Sequence, residues 1–207
     1  MNLIYLDEYH FINSSILRDD KQILVKVGVV GFIDLAKFKK LYPKSMIIAY
    51  EADPDNYYKE CSESFKYLDK FINCAVGKNK QIQLNRFTNN VSNSVFPRHK
   101  YDPNCVYKDT IFIRSIDIDN VMAENKLDYI DILVLNCEGG ELDIMKSLYN
   151  ENTRNKIGQI CVSFHDPRIY PTKEKEKIFN DIGRYYHIIK GTCPKGNVPD
   201  YLMIRKV

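Results

Sequence analysis

The segment YIDILVLNCEGGE, residues 129–141, is an apolar run that ends abruptly in polar residues and glycines. Its first part, 129–136, has the length and composition of a buried β-strand. Asn136 ends this strand, and two carboxylates, Glu138 and Glu141, then flank a pair of glycines. A strand that is apolar to its end and then turns polar is typical of parallel sheets, which bind ligands beyond the carboxyl ends of their strands.

Apolar, β-rich runs alternate with segments of helical period on both sides of this strand. Strands are predicted over 22–28, 45–51, 70–77, 81–87, 110–116, 129–136 and 157–166, and over the closing segments 187–191 and 201–207. Helices are predicted over 32–42, 53–68, 142–148 and 172–186, with a short one after residue 116. Asp53 followed by Pro54 is a typical helix start, because aspartate caps free N–H groups and proline fits the first helical position.

The continuous apolar runs predict strands buried on both faces, in a mostly parallel sheet with helices on each side. No helix separates the last two strands, so one of them is expected to pair antiparallel. The sequence contains no internal repeat, no low-complexity tract and no evident linker. We therefore predict a single α/β domain over residues 1–207.

Composition and charge exclude several classes of protein. The net charge of +3 comes from scattered lysines, which is no specific signal for nucleic acid. No apolar run approaches the roughly 20 residues of a membrane span. Asp7 and Glu8, within the apolar N-terminal residues, argue against a secretory signal. The six cysteines show no CxxC pair, which predicts neither a disulfide scaffold nor a metal site and favours a reducing, cytoplasmic location.

Polar residues and glycines follow several of the predicted strands. Glu51 ends the second strand. Its separation in sequence from Gly28 is close to the roughly 20 residues that lie between a glycine turn and the carboxylate that binds ribose hydroxyls. A solvent-exposed turn acid is the alternative. The turn GVVG, residues 28–31, lacks the GxGxxG pattern, so it favours a nucleoside without a pyrophosphate, or merely a tight turn. His165, followed by Asp166, is either a general base or a turn residue.

Five short segments resemble, in matching order, the FkbM family of S-adenosylmethionine-dependent methyltransferases. They are YEADPDNY (50–57), NCAVG (73–77), VSNS (91–94), SIDIDNV (115–121) and CEGGE (137–141). The similarity extends roughly from Ile23 to His165. The resemblance implies a class I methyltransferase fold, which is a Rossmann-like sheet of seven mostly parallel strands with helices on both faces and an antiparallel C-terminal hairpin.

The resemblance also implies S-adenosylmethionine as cofactor and roles for particular residues. Gly28, Val29 and Gly31 would lie against the methionine part of the cofactor, and Glu51 would hold the ribose hydroxyls. The residues expected beside the adenine are Ala52, Ala75 and Val76. Asn136 would lie near the transferred methyl, and His165 and Glu138 are candidates for the base or for substrate orientation. For Glu138, capping of the helix that begins near Gly140 is the alternative.

Members of the family are regarded mainly as O-methyltransferases, so the expected acceptor is a hydroxyl of a small molecule or glycan. Three positions depart from the family's pattern: Lys26 replaces an aspartate, Val134 a lysine and Asn136 an aspartate. These departures motivate an alternative, a catalytically degenerate protein that acts as a binding or partner subunit. A Rossmann oxidoreductase is a third alternative, against which the missing GxGxxG argues. The oligomeric state stays open.

Overall fold

The computed structural model describes residues 1–7, 9–64, 66–78, 80–88, 93–95, 106–164, 172–191 and 200–206. The strands are β1 (Leu3–Tyr5), β2 (Phe11–Asn13), β3 (Ile23–Val27), β4 (Met46–Glu51), β5 (Lys70–Asn73), β6 (Ala75–Val76), β7 (Lys80–Phe87), β8 (Tyr107–Ile116), β9 (Ile130–Leu135), β10 (Ile157–Ser163), β11 (Tyr186–Lys190) and β12 (Asp200–Arg205). The helices are α1 (Ile33–Leu41), α2 (Pro54–Ser64), α3 (Ile118–Asn125), α4 (Glu141–Ser147), α5 (Glu151–Asn155) and α6 (Thr172–Ile182).

Seven strands form the main sheet, in the order β5–β4–β3–β9–β10–β12–β11. The first five of these strands are parallel to their neighbours. β12 is antiparallel to both β10 and β11. This arrangement confirms the predicted seven-stranded, mostly parallel sheet with its antiparallel C-terminal hairpin.

Alternating side chains of each central strand point to opposite faces, and both faces are covered. Val25 and Val27 pack with apolar residues of α3, α4 and α6. Leu24, on the same strand, packs with α1 and with the N-terminal β1–β2 hairpin on the other face. Because the central strands are buried on both sides, their sequences are almost continuously apolar. None of the helices in the described part of the chain is long and apolar enough to cross a membrane.

The predicted strand over 70–77 is wrong as a single element. β5 ends at Asn73, and β6 pairs instead with β8 in a separate three-stranded sheet of order β6–β8–β7. The reason is the length of the neighbouring strand. β4 ends at Glu51, whose carbonyl accepts the Cys74 N–H at 3.1 Å, and beyond this point the main sheet offers β5 no further partner.

The N-terminal hairpin and α5 are absent from the sequence prediction. The strands of the hairpin have three residues each, too few to show a periodic pattern. The hairpin is attached by long-range contacts instead: Asn13 donates its N–H to Gln159 Oε1 at 2.8 Å and accepts from Gln159 Nε2 at 3.1 Å. Phe11 packs in a small apolar cluster with Leu202 and Ile204 of β12.

Candidate functional site

The site lies where the direction of chain connection reverses, between β3 and β9. From β3 the chain continues to β4 on one side of the sheet, whereas β9 and β10 extend on the other side. In open parallel sheets this reversal opens a crevice beyond the strand ends, in which ligands bind. The Gly28 N–H donates to the Tyr50 carbonyl at 2.9 Å, and the Asn136 N–H donates to the Val27 carbonyl at 3.0 Å. These two bonds hold the ends of β3, β4 and β9 together.

Gly28 allows the turn after β3 to touch the turn after β9. Its φ is +83°, and an added Cβ would lie 2.0 Å from the Asn136 carbonyl oxygen. Gly31 also has positive φ, at +75°, but a Cβ there would meet no atom within 4 Å. The two glycines therefore serve different purposes: one allows close approach of two backbones, and the other allows the chain to turn beside open space.

Glu51 is the polar centre of the site. Its carboxylate is buried, with 6% of the residue exposed, so the solvent-exposed alternative is wrong. Oε2 accepts the Val29 N–H at 2.8 Å, and Oε1 accepts the Asp53 N–H at 2.9 Å. Burial raises the pKa of the Glu51 carboxyl to about 7, although these two N–H donors and the Asn56 side chain oppose the rise. The carboxylate thus joins the glycine turn to the end of β4.

Residues near Glu51 fix the adjoining turn. The Asn73 side chain donates to the carbonyls of Glu51 and Ala52, at 2.9 and 3.3 Å. Asp53 caps α2 as predicted, since its Oδ1 accepts the N–H groups of Asp55 and Asn56. Sequence reasoning missed Asn73, although it lies inside the NCAVG segment. A side-chain amide that bridges two backbone carbonyls leaves no periodic signal.

The turn after β9 is organised by Glu141. This carboxylate is fully buried and accepts the N–H groups of Cys137 and Gly139, at 2.7 and 2.8 Å. Glu141, the first residue of α4, thus satisfies two backbone donors of the preceding turn, and the roles considered for Glu138 stay predictions. Burial, together with the charge of Glu141, raises the pKa of the Cys137 thiol well above its usual value.

Glu138 has a left-handed backbone, with φ of +53°, and its carbonyl accepts the Ser94 hydroxyl at 2.5 Å. Ser94 belongs to the segment between β7 and β8, and the preceding Asn93 donates its side-chain N–H to Asp53 Oδ2 at 2.7 Å. One short segment therefore contacts both the turn after β9 and the start of α2. Asn93 and Ser94 thus link the YEADPDNY and CEGGE segments, while Val91 and Ser92 of VSNS lie outside the described residues.

The structure brings most of the predicted site residues to one edge of the sheet. Gly28, Val29, Glu51 and Asn136 are linked directly by the contacts above. The end of β6 reaches the same turn, because a Cβ on Gly140 would lie 3.4 Å from the Val76 carbonyl oxygen. Ala75 and Val76 are both buried. His165 and Asp166 lie outside the described residues, so their assignment stays a prediction.

The pKa of Glu51 predicts a specific pH dependence of folding stability. Between the ordinary value of 4.5 and about 7, the folded protein keeps a proton that the unfolded chain has lost. The stability that this group contributes is therefore complete below the ordinary value of 4.5 and falls by about 3 kcal/mol as the pH rises to about 7, above which it stays lost. We expect urea unfolding of the wild type to show this loss, and Glu51→Gln, which cannot ionise, to show a flatter profile. Parallel profiles of the two proteins from about pH 5 to about pH 8 would contradict the assignment.

The order and direction of the strands, with helices on both faces, are those of the class I methyltransferase fold. The chain resembles the Methanococcus jannaschii fibrillarin pre-rRNA processing protein (TM-score 0.52, 10% identity, covering 90% of this chain and 67% of that chain). It also resembles a fibrillarin/Nop5p complex (TM-score 0.51, 11% identity, 92% and 75%) and the METTL16 MTase domain (TM-score 0.50, 10% identity, 91% and 61%). At these identities the likeness shows the fold alone.

The family is defined more closely by the sequence itself. The family model for the methyltransferase FkbM domain matches residues 29–188, and the chain belongs to this family. The resemblance stated from five short segments is thereby confirmed. No curated protein sequence shows significant similarity to the chain.

Proposed function

We propose that this protein transfers a methyl group from S-adenosylmethionine to a hydroxyl of a small molecule or glycan. The observation that carries the proposal is the buried Glu51 carboxylate beside the glycine turn, at the point of the sheet where connections reverse. Family membership supports the methyl transfer, and the proposal adds the cofactor, the kind of acceptor and the residue roles. We propose a cytoplasmic location, in keeping with the reduced cysteines that the sequence predicts.

The residues present fit an adenosyl group. A carboxylate has about four acceptor positions, and Val29, Asp53 and Asn56 use part of this capacity. The remaining capacity suits a ribose hydroxyl. Gly28, Val29 and Gly31 would receive the methionine part, since the space beside Gly31 is open. Ala52, Ala75 and Val76 would line the adenine, whose apolar faces suit small apolar side chains.

The cofactor supplies a methyl carbon already activated by its bond to a sulfonium. The protein has to align the acceptor oxygen with that carbon and to remove the hydroxyl proton. With the cofactor bound, formation of the C–O bond would be matched by cleavage of the C–S bond, whose electron pair would stay on sulfur. We assign proton removal or acceptor orientation to His165 and Glu138. Asn136 can accept a hydrogen bond near the methyl but cannot take up a proton, so its role is positioning.

Calorimetric titration with S-adenosylhomocysteine tests the cofactor assignment. We expect saturable binding at one site per chain. A folded protein that binds neither S-adenosylhomocysteine nor S-adenosylmethionine would overturn the proposal and favour the non-catalytic alternative, which the departures at Lys26, Val134 and Asn136 motivate. Transfer of a radiolabelled methyl to a panel of hydroxyl-bearing compounds and glycans then tests the acceptor. In that assay His165→Ala is expected to keep cofactor affinity and to lose turnover.

A further inference from the structure

A group of four charged or titratable residues, three of them buried, lies on the face of the main sheet that carries α1. Lys26, Asp34 and His10 are 4%, 2% and 2% exposed. Lys26 Nζ lies 2.6 Å from Asp34 Oδ2, and His10 Nδ1 lies 3.7 Å from the same oxygen. His10 Nδ1 is also 2.7 Å from Asp7 Oδ2. Donor atoms of Asp7, His10 and Asp34 all lie within 4.8 Å of one another, a spacing that suits a metal ion, but the Lys26 ammonium already supplies positive charge there.

Lys26 and Asp34 lie on either side of the glycine turn in the chain. Lys26 lies on β3, just before Gly28, and Asp34 lies in the first turn of α1, just after Gly31. The bond between them therefore closes the chain across the whole turn. Glu51 holds the same turn from the other side, through the Val29 N–H.

Lys26 needs a negatively charged partner, Asp34, because its neighbours within the sheet are apolar. Lys26 stands opposite Ala49 on β4 and Val134 on β9, and both are apolar and fully buried. Lys26 and Val134, two of the three positions singled out in the sequence, thus form one cross-strand pair. The partner of Lys26 comes from α1, where Asp34 Oδ2 lies 2.6 Å from its Nζ.

The N-terminal hairpin supplies two further groups beside Asp34, the imidazole of His10 and the carboxylate of Asp7. Asp7 Oδ1 accepts the N–H groups of Tyr9 and His10, and its Oδ2 accepts from the His10 ring. Burial alone would raise the pKa of Asp7, but the hydrogen bond and charge of His10 bring it down to about 2. Asp7 is therefore ionised, and it holds the imidazole against Asp34.

We propose that the Lys26–Asp34 pair, supported by His10 and Asp7, positions the cofactor-binding turn. The N-terminal hairpin, which precedes the first residue of the family match, is thereby part of the cofactor site. The inference rests on the proposed function only in that the turn binds S-adenosylmethionine. Lys26 and Asp34 are positioning residues: they act through the backbone of residues 28–31.

Asp34→Asn tests this inference, with Asp131→Asn as the matched control. Asp131 is a buried carboxylate paired with Arg18 at 2.6 Å, but it lies near the opposite, amino end of β9. We expect Asp34→Asn to weaken S-adenosylhomocysteine binding about tenfold and Asp131→Asn less than about twofold, at similar losses of thermal stability. His10→Gln should weaken binding in the same direction as Asp34→Asn. Equal effects of Asp34→Asn and Asp131→Asn would overturn the proposal.

A second variant covers the case in which Asp34→Asn does not fold. Lys26→Met with Asp34→Leu removes both charges together and leaves no unpaired ion in the interior, so this double variant is expected to fold. Hydrogen exchange of the amides of residues 28–33 should be faster in it than in the wild type. This readout needs no ligand, so it separates the two proposals. If the wild type binds no S-adenosylhomocysteine, the proposed function fails. The exchange rates then still show whether the Lys26–Asp34 pair positions the turn. Unchanged exchange rates in the double variant would overturn the positioning role of the pair.

Discussion

Gly28→Ala is expected to destabilise the protein by more than about 4 kcal/mol, a large part of the roughly 5–15 kcal/mol that stabilises a typical domain. The added Cβ would lie 2.0 Å from the Asn136 carbonyl oxygen, 2.8 Å from its carbon and 3.1 Å from Cys137 Cα. All three are backbone atoms, so no side chain can swing away to relieve the clash. The turns after β3 and β9 must separate, which breaks the bonds that hold this edge of the sheet together.

Gly31→Ala is the matched control for this prediction. Both glycines have positive φ, so alanine is strained at either position by about 1–2 kcal/mol. Only Gly28 adds a steric clash, because the space beside Gly31 is open. Urea unfolding of the two variants and the wild type measures the difference. Equal destabilisation would show that the close approach of the two turns is not required.

At about pH 8, where the Glu51 carboxyl is ionised, Glu51→Gln is expected to weaken binding of S-adenosylhomocysteine about 30- to 100-fold. The substitution keeps the size of the side chain but removes the charge that strengthens a hydrogen bond from a ribose hydroxyl, and charged hydrogen bonds contribute about 1.5–3 kcal/mol each. It also turns one acceptor into a donor, facing the N–H of Val29 or Asp53. Isothermal titration calorimetry measures the affinity, and thermal unfolding measures how much of the loss is structural.

Glu141→Gln is the control for Glu51→Gln, because it separates a loss of stability from a loss of cofactor binding. Glu141 is equally buried, and its two oxygens likewise accept two backbone N–H groups, of Cys137 and Gly139. We expect a similar loss of stability but a much smaller change in affinity, because Glu141 is already committed to its own turn. If both variants lose affinity equally, Glu51 is a structural residue and not a cofactor ligand.

Several features of the fold could be predicted because their causes are local. Asp53 and Pro54 start α2 through contacts with the next few residues, and apolar periodicity marks the strands and helices that cover the sheet. The β6 strand was misassigned for a physical reason: Cys74, Ala75 and Val76 continue the apolar pattern of β5, and only the end of β4 at Glu51 decides where the chain leaves the main sheet. The length of a neighbouring strand cannot be predicted from the composition of the segment itself.

The candidate site likewise contains residues that the sequence predicts and residues that it does not. Gly28, Glu51 and Asn136 were predicted because strand ends of a parallel sheet meet at one edge. The partners that hold them, Asn73 and Asn93, were not predicted as such, since a single amide hydrogen bond imposes no spacing on the sequence.

The sequence by itself determined the α/β class, the order of the main elements, the glycine turn and the carboxylate at the end of β4, because periodicity, helix capping and turn chemistry depend on adjacent residues. Only the tertiary structure decided that Glu141 organises the turn after β9 and that Lys26 is balanced by Asp34, with Val134 standing opposite. These pairings depend on sheet register and on how α1 and the N-terminal hairpin pack. A buried charge needs a partner, but the fold chooses which of many carboxylates that partner is.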